Sequence, residues 1–293
     1  MSPCHGRLRT CVFAALLVAH AGIAAQSVVD DDGRSVALAR PAQRIVSLAP
    51  GITEMLFLLG AGERIVAVSE FSDYPLAAQS LPRVARAQAI DLEKIAALQP
   101  DLIVVWGSGY SPLLQQALSG LGVPLYVYEP SSLEAIATSI ERLGTLIASA
   151  RAPSISAQFR ARLANLRDRY ALRSPVRVFY QVWASPLMTL SGRHLVSEAM
   201  RACGARNVFE DLAPLVATVG IESIIAAQPQ VIIAAEPGAV DRGALEFWRR
   251  YPQVPAVAHD LLVTLDADEL DRASVRLPDA IRALCEQVDR ARH

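Results

Sequence analysis

The chain has 293 residues, of which 52% are hydrophobic, 19% charged and 6% aromatic, and its formal net charge is −1. A near-neutral balance without a basic run excludes nucleic acid as a partner. The length leaves room for two domains of ordinary size.

Residues 1–25 carry Arg7 and Arg9, then an apolar run from Val12 to Ile23 broken only by His20, then Ala24 and Ala25. This is the layout of a secretory signal peptide. The run is shorter than the ~20 residues that a bilayer span needs, and no cysteine follows it to carry a lipid. Export as a soluble protein is therefore expected. Cleavage removes two arginines and no acid, so the formal charge moves from −1 to −3.

Asp32-Gly33 stands between two β-type runs, Ser27–Val29 and Ser35–Leu38, and predicts a hairpin. Asp30-Asp31-Asp32 reads as a solvated turn beside it. Arg44–Leu48 predicts the first buried parallel strand. Pro50-Gly51 turns the chain, Thr53–Leu59 predicts a helix stopped at Gly60, and Ile65–Val68 a second strand.

Next comes a segment that occurs twice. Asp91–Val105, DLEKIAALQPDLIVV, matches Gly220–Ala234, GIESIIAAQPQVIIA, without a gap. The pairs are Glu93 with Glu222, Ile95 with Ile224, Ala97 with Ala226, Gln99 with Gln228, Pro100 with Pro229 and Ile103 with Ile232. Each copy reads as a short amphipathic helix (Leu92–Leu98, Ile221–Ala227), a proline that ends it, and a β-branched strand. Two similar α/β lobes follow from the repeat, and a cleft between lobes is where small ligands bind. Helix Pro112–Leu121 and strand Pro124–Tyr128 complete the first lobe.

From Ser131 to Leu172 the strand signal stops. Ser131 with Glu134 predicts a capping box, and Leu133, Ile136, Ile140, Leu143 and Ile147 recur at helical spacing. Ala152-Pro153 marks a kink or a brief interruption, after which the pattern resumes from Ile155. A continuous helix of ~40 residues would be ~60 Å long and would join the lobes stiffly. The α/β alternation then returns, with strand Val176–Val182, helix His194–Cys203, the second repeat, helix Ala244–Arg250, strand Leu261–Leu265 and helix Leu277–Val288. The chain thus divides into a signal peptide (1–25), an N-terminal α/β lobe (26–130), a connecting helix (131–172) and a C-terminal α/β lobe (173–293).

Signatures of catalysis are scarce. There is no G-x-S-x-G turn, Walker loop, G-x-G-x-x-G or H-E-x-x-H. His194, His259 and His293 lack metal-ligand spacing. The acidic run Asp266, Asp268, Glu269 and Asp271 reads as solvated surface. No catalytic and no metal residues are assigned. Cys203 and Cys285 are the cysteines left after cleavage; an oxidising compartment favours their pairing, the alternative being two separate buried thiols. Phe71, Tyr74, Trp106, Tyr180 and Trp183 fall at predicted strand ends, where an open α/β sheet lines its ligand crevice. Aromatic faces there suit a flat, largely apolar ligand.

Four segments carry a family resemblance: RIVSLAPGITEMLFLLGAGERIVAVSEFSDYP (Arg44–Pro75), DLEKIAALQPDLIVVW (Asp91–Trp106), SGRHLVSEAMRACGARNVFED (Ser191–Asp211) and DRASVRLPDAIRALCEQV (Asp271–Val288). Through them the chain resembles the periplasmic substrate-binding proteins with a helical backbone, which serve ABC importers of cobalamin, haem and ferric siderophores. Ser72–Pro75 is the element most specific to the cobalamin branch.

The resemblance implies an α/β fold of two Rossmann-like lobes joined by a long rigid α-helix, and capture of cobalamin or a related corrinoid in the inter-lobe cleft. It also implies delivery to an inner-membrane ABC permease and its ATPase, by a soluble periplasmic monomer with no cofactor and no catalysis of its own. Glu93 and Glu222 match the acidic residues that dock onto permease arginines, and Cys203 and Cys285 match disulfide partners. Phe71, Tyr74, Trp106 and Trp183, with the loop Asp268, Glu269, Leu270, Asp271 and Arg272, are the implied ligand contacts.

There are departures. Glu269 and Leu270 stand where the cobalamin branch has aromatic residues, and two of its cleft tryptophans fall at Ala87 and Val216. The stacking surface is smaller unless Trp183 or Tyr180 replaces it. Haem would instead ask an iron ligand of Tyr74, Tyr110 or His194, and an anionic siderophore would ask for Arg193 and Arg272. An exported enzyme would use Ser191 with His194.

Overall fold

A computed structural model describes residues 26–86, 89–240 and 243–293; residues 1–25, expected to be a signal peptide, and Ala87 lie outside the described residues. Gln26–Val29 (β1) and Ser35–Leu38 (β2) form the antiparallel hairpin that Asp32-Gly33 predicts. The solvated acidic turn does not hold. Asp30 is 2% exposed, and its carboxylate accepts from the backbone N–H groups of Asp32, Arg34 and Val127. Asp31 accepts from Glu129 N–H and Ser139 Oγ and pairs with Arg142 at 2.9 Å. Burial is tolerable here because nearly every lone pair finds a donor. These acids staple the hairpin to the first lobe.

The first lobe is built on strands Ile45–Leu48 (β3), Ile65–Ser69 (β4), Arg83–Arg86 (β5), Ala89–Ile90 (β6), Leu102–Trp106 (β7) and Leu125–Tyr128 (β8), with helices Pro50–Leu58 (α1), Leu92–Ala97 (α2) and Pro112–Ser119 (α3). The sheet order is β6-β5-β4-β3-β7-β8, parallel except for the β5–β6 pair. Pro50 does not turn the chain before α1 but opens the helix. A proline fits the first helical turn, where its missing N–H would have had no partner.

The connection between lobes corrects one expectation. It is not one helix of 40 residues but two, Leu133–Leu146 (α4) and Ala152–Tyr170 (α5), folded side by side. The cap of α4 is Ser132 rather than Ser131, and Glu134 pairs with Arg160 of α5 instead of closing a capping box. Glu141 also holds Arg160. A β-carbon on Gly144 would lie 2.1 Å from that of Ala152, so a glycine is what lets the two helices close. The 19 residues of α5 span roughly 28 Å, and the chain passes from that helix into Val176–Gln181 (β9) of the second lobe.

The second lobe has a parallel sheet in the order β12-β9-β14-β15, from Val176–Gln181 (β9), Ala205–Asn207 (β12), Val231–Glu236 (β14) and Leu262–Asp266 (β15). Trp183–Ala184 (β10), Leu187–Leu190 (β11) and Val216–Thr218 (β13) make a small antiparallel sheet beside it. Its helices are Leu195–Ala202 (α6), Ile221–Ala227 (α7), Pro255–Ala258 (α8), Ala267–Leu270 (α9) and Leu277–Asp289 (α10). A disulfide joins Cys203, at the end of α6, to Cys285 of α10. The helix expected over Ala244–Arg250 is a 3-10 turn, Glu246–Arg250, seated by buried Trp248 against Phe179.

The two copies of the repeat take the same course. Ile95 and Ile224 are fully buried under α2 and α7. Gln99 and Gln228 both leave the helix in the left-handed region, at φ of 47° and 49°. Arg44 then donates to the carbonyls of Leu98 and Gln99, and Arg177 to that of Gln228. The Asp101 carboxylate accepts from Arg44 N–H, and the Gln230 side-chain oxygen from Arg177 N–H. One apolar cluster runs unbroken from Ile52 and Met55 of the first lobe, through Ile140 and Leu163 of the connecting helices, to Val178 and Ile281 of the second.

Candidate functional site

The strands of both sheets end facing each other, and a cavity of about 340 Å³ lies between them. Its first wall comes from the last residues of β7 and β8 and those following β3, β7 and β8: Ala49–Ile52, Trp106, Ser108, Tyr128 and Glu129. The opposite wall is Arg193–Val196, Leu215 and Leu270–Ala273. This is the crevice expected at the carboxyl ends of parallel strands.

The lobes also touch at its floor. Tyr128 Oη donates to the Ala273 carbonyl at 2.6 Å. A β-carbon on Gly51 would stand 3.3 Å from that same carbonyl, so the close approach depends on a residue without a side chain.

Beside the floor sits an inter-lobe ion cluster that the sequence does not announce. The Glu54 side chain, on α1, is 1% exposed. It accepts from Arg276 at 2.7 and 2.9 Å and from Arg272 at 3.2 Å. Its carboxylate raises the Arg276 guanidinium pKa. Arg272 also holds Asp268, Arg276 also holds Glu269, and the Tyr74 ring lies 4.4 Å from the Arg276 guanidinium carbon. A charge this deep is stable only with such partners. The signal for it in the sequence would have been a lone acid on an otherwise apolar helix face.

Of the expected ligand contacts, Trp106, Leu270, Asp271 and Arg272 line the cavity. Asp271 accepts from Tyr180 Oη at 2.6 Å, and the surrounding walls push its carboxyl pKa up, only partly offset by that bond. Phe71, Tyr74, Trp183, Asp268 and Glu269 lie outside the lining. Phe71 is 63% exposed at φ 63° and borders a separate shallow depression with Arg83 and Arg86. Trp183 is exposed on β10, its indole N–H donating to the Ser185 carbonyl. Tyr180 is buried and supports Asp271, so it offers no stacking face. Val216 belongs to β13.

The residues nominated for other functions are occupied. Tyr110 is buried in the core on the outer side of the first sheet. Ser191 is fully buried. The His194 Nδ1 is taken by the Val196 N–H, so the pair is not set up as nucleophile and base. Arg193 donates to the Ala213 carbonyl.

Glu93 and Glu222 are both exposed in the first turns of α2 and α7. The two carboxylates hold equivalent places in the repeat, one on each lobe.

Comparison with known proteins agrees with this geometry. The family model described as "Periplasmic binding protein" matches residues 45–269. The vitamin B12-binding protein of Vibrio cholerae serotype O1 is 40% identical over 247 residues, covering 84% of this chain and 88% of that protein. That of Yersinia pestis is 36% identical over 251 residues, covering 85% and 88%. The crystal structure of the Vibrio cholerae periplasmic vitamin B12-binding protein superposes with a TM-score of 0.78 at 40% identity, over 86% of this chain and 98% of that one. The periplasmic heme-binding protein RhuT from Roseiflexus sp. RS-1 shares the fold, with a TM-score of 0.75 at 24% identity over 86% and 100%.

Proposed function

The chain belongs to the periplasmic binding protein family, and from that premise we propose that it captures cobalamin or a related corrinoid between its lobes and hands it to an ABC permease. The observation that carries the reading is its extended identity with vitamin B12-binding proteins. The cleft geometry supports it. A cavity of about 340 Å³ is at the small end of ligand pockets, which run from roughly 300 to 1,000 Å³. A macrocycle therefore rests across its mouth, against Trp106, with only its substituents reaching inside.

Closure is modest in this reading, because one apolar cluster and the Glu54 ion cluster already tie the lobes together. Glu93 and Glu222 pair with arginines of the permease, and the ATPase of that complex drives release. The protein acts as a soluble periplasmic monomer after removal of residues 1–25, without cofactor or covalent chemistry. Among the described residues no helix is long and apolar enough to cross a membrane.

Calorimetric titration of the chain from Gln26 onward with cyanocobalamin is the test. One-to-one binding is the expected result, and no binding would remove the corrinoid from the proposal. Haemin in a parallel titration checks the alternative ligand. With Tyr110 buried and His194 Nδ1 committed, Tyr74 would be left as its iron ligand.

A further inference from the structure

His194 stands at the amino-terminal cap of α6 and forms part of the cavity wall. Its Nδ1 accepts the Val196 N–H at 3.2 Å. A ring nitrogen that accepts carries no proton, so in the neutral imidazole the proton sits on Nε2. Burial lowers the pKa of this ring, which favours the neutral form. His194 lines the cavity, and Nε2 is the ring nitrogen that its own helix leaves over.

The charged neighbours in the wall are already engaged. Glu129 is held by Ser108, Arg193 by the Ala213 carbonyl, Asp271 by Tyr180, and Arg272 by Glu54 and Asp268. His194 Nε2 has no protein partner among the described residues. Leu195, Val196, Leu215 and Leu270 add apolar wall to the same cavity, where a hydrogen bond gains value because water competes less.

We infer that His194 is a specificity residue whose Nε2–H donates to an oxygen acceptor on the bound ligand, and that it does not serve as a metal ligand. The inference deepens the corrinoid reading and rests on it for the ligand. A corrinoid offers such an oxygen from two sources, the amide carbonyls around the macrocycle and the phosphate of the nucleotide loop. A metal bond from Nε2 would need the lone pair that the proton occupies. The cap bond fixes the proton there, as a partner on one ring nitrogen decides the state of the other.

The test separates the cap from the donor. His194→Asn keeps a side-chain oxygen able to cap α6 but is too short to place a donor in the cavity. We expect an unchanged melting temperature and cyanocobalamin affinity lowered about three- to tenfold, the worth of one hydrogen bond. Unchanged affinity would overturn the inference.

Dicyanocobinamide, which has the amides but no nucleotide loop, locates the acceptor. An equal loss with both ligands assigns a carbonyl, and a loss with cyanocobalamin alone assigns the phosphate. Long-range proton–nitrogen NMR of the ligand-free protein reads the tautomer directly. A proton on Nε2 is the expected result and a proton on Nδ1 would refute the donor. Because it needs no ligand, that spectrum judges the inference even if the wild-type chain binds no corrinoid, which would count against the corrinoid reading alone.

Discussion

The two lobes carry the same repeat and then diverge where they meet. Around the repeat, Gln99 and Gln228, Arg44 and Arg177, and Asp101 and Gln230 do matching work. Each trio closes a helix end and satisfies the backbone before the next strand. At the cleft the first lobe presents Trp106, Tyr128 and the bare start of α1, whereas the second presents Arg193, His194, Asp271 and Arg272. The positions that keep backbone groups paired are constrained alike in both lobes. The loops beyond the strand ends are free to differ, so the first wall carries the aromatic rings and the second the histidine and arginines. A ligand held between unlike walls has one orientation.

If the lobes are equivalent on their outer rim and different inside, changes at the two places should separate. Replacing both Glu93 and Glu222 by Ala should abolish uptake in a transport assay and leave cyanocobalamin affinity intact, with each single variant intermediate. Undiminished uptake by the double variant would end the docking assignment.

The contact between the lobes should be next in size. Glu54→Ala takes the shared carboxylate from two arginines whose side chains are only 20% exposed and leaves them Asp268 and Glu269 alone, and urea denaturation should show a loss of about 3 kcal/mol. Glu54→Gln, which keeps acceptors in place, should lose less. Removing the disulfide with Cys203→Ser and Cys285→Ser should cost about 2–4 kcal/mol. Hydrogen exchange should locate that loss in α6 and α10 and spare α2, because the bond lies within the second lobe.

Inside the cleft the effects should be smaller and unequal. Trp106→Ala should weaken ligand binding about tenfold, or about 1.4 kcal/mol. Trp183→Ala should do less, since its ring lies outside the cavity lining. The smallest effect concerns the repeat itself. A left-handed residue other than glycine is strained by about 1–2 kcal/mol, so Gln99→Gly should stabilise the protein by about 0.5–1 kcal/mol after the entropic cost of glycine. Gln228→Gly should gain less, because its side chain donates to the Ile225 and Gln253 carbonyls. Equal gains would mean that these bonds contribute nothing.

The repeat and the α/β alternation were legible from residue order. Each rests on local periodicity or on a short spacing that survives in any fold containing it. Asp30 and Asp31 were misread for the same reason. Their composition says exposed turn, and only β8 and α4, about a hundred residues away, supply the donors that bury them. The break between α4 and α5 was seen at Ala152-Pro153, but its outcome, a reversal instead of a kink, depends on Gly144 meeting Ala152 across the turn.

Residue order alone therefore settled the architecture and its outer faces, because hydrophobic period and proline placement are local quantities. The cleft was decided by tertiary structure. Glu54 finds Arg272 and Arg276 more than two hundred residues away, and His194 becomes a wall of the cavity only when the lobes close on each other. Such contacts depend on where distant strand ends are brought together, and no local pattern encodes that distance.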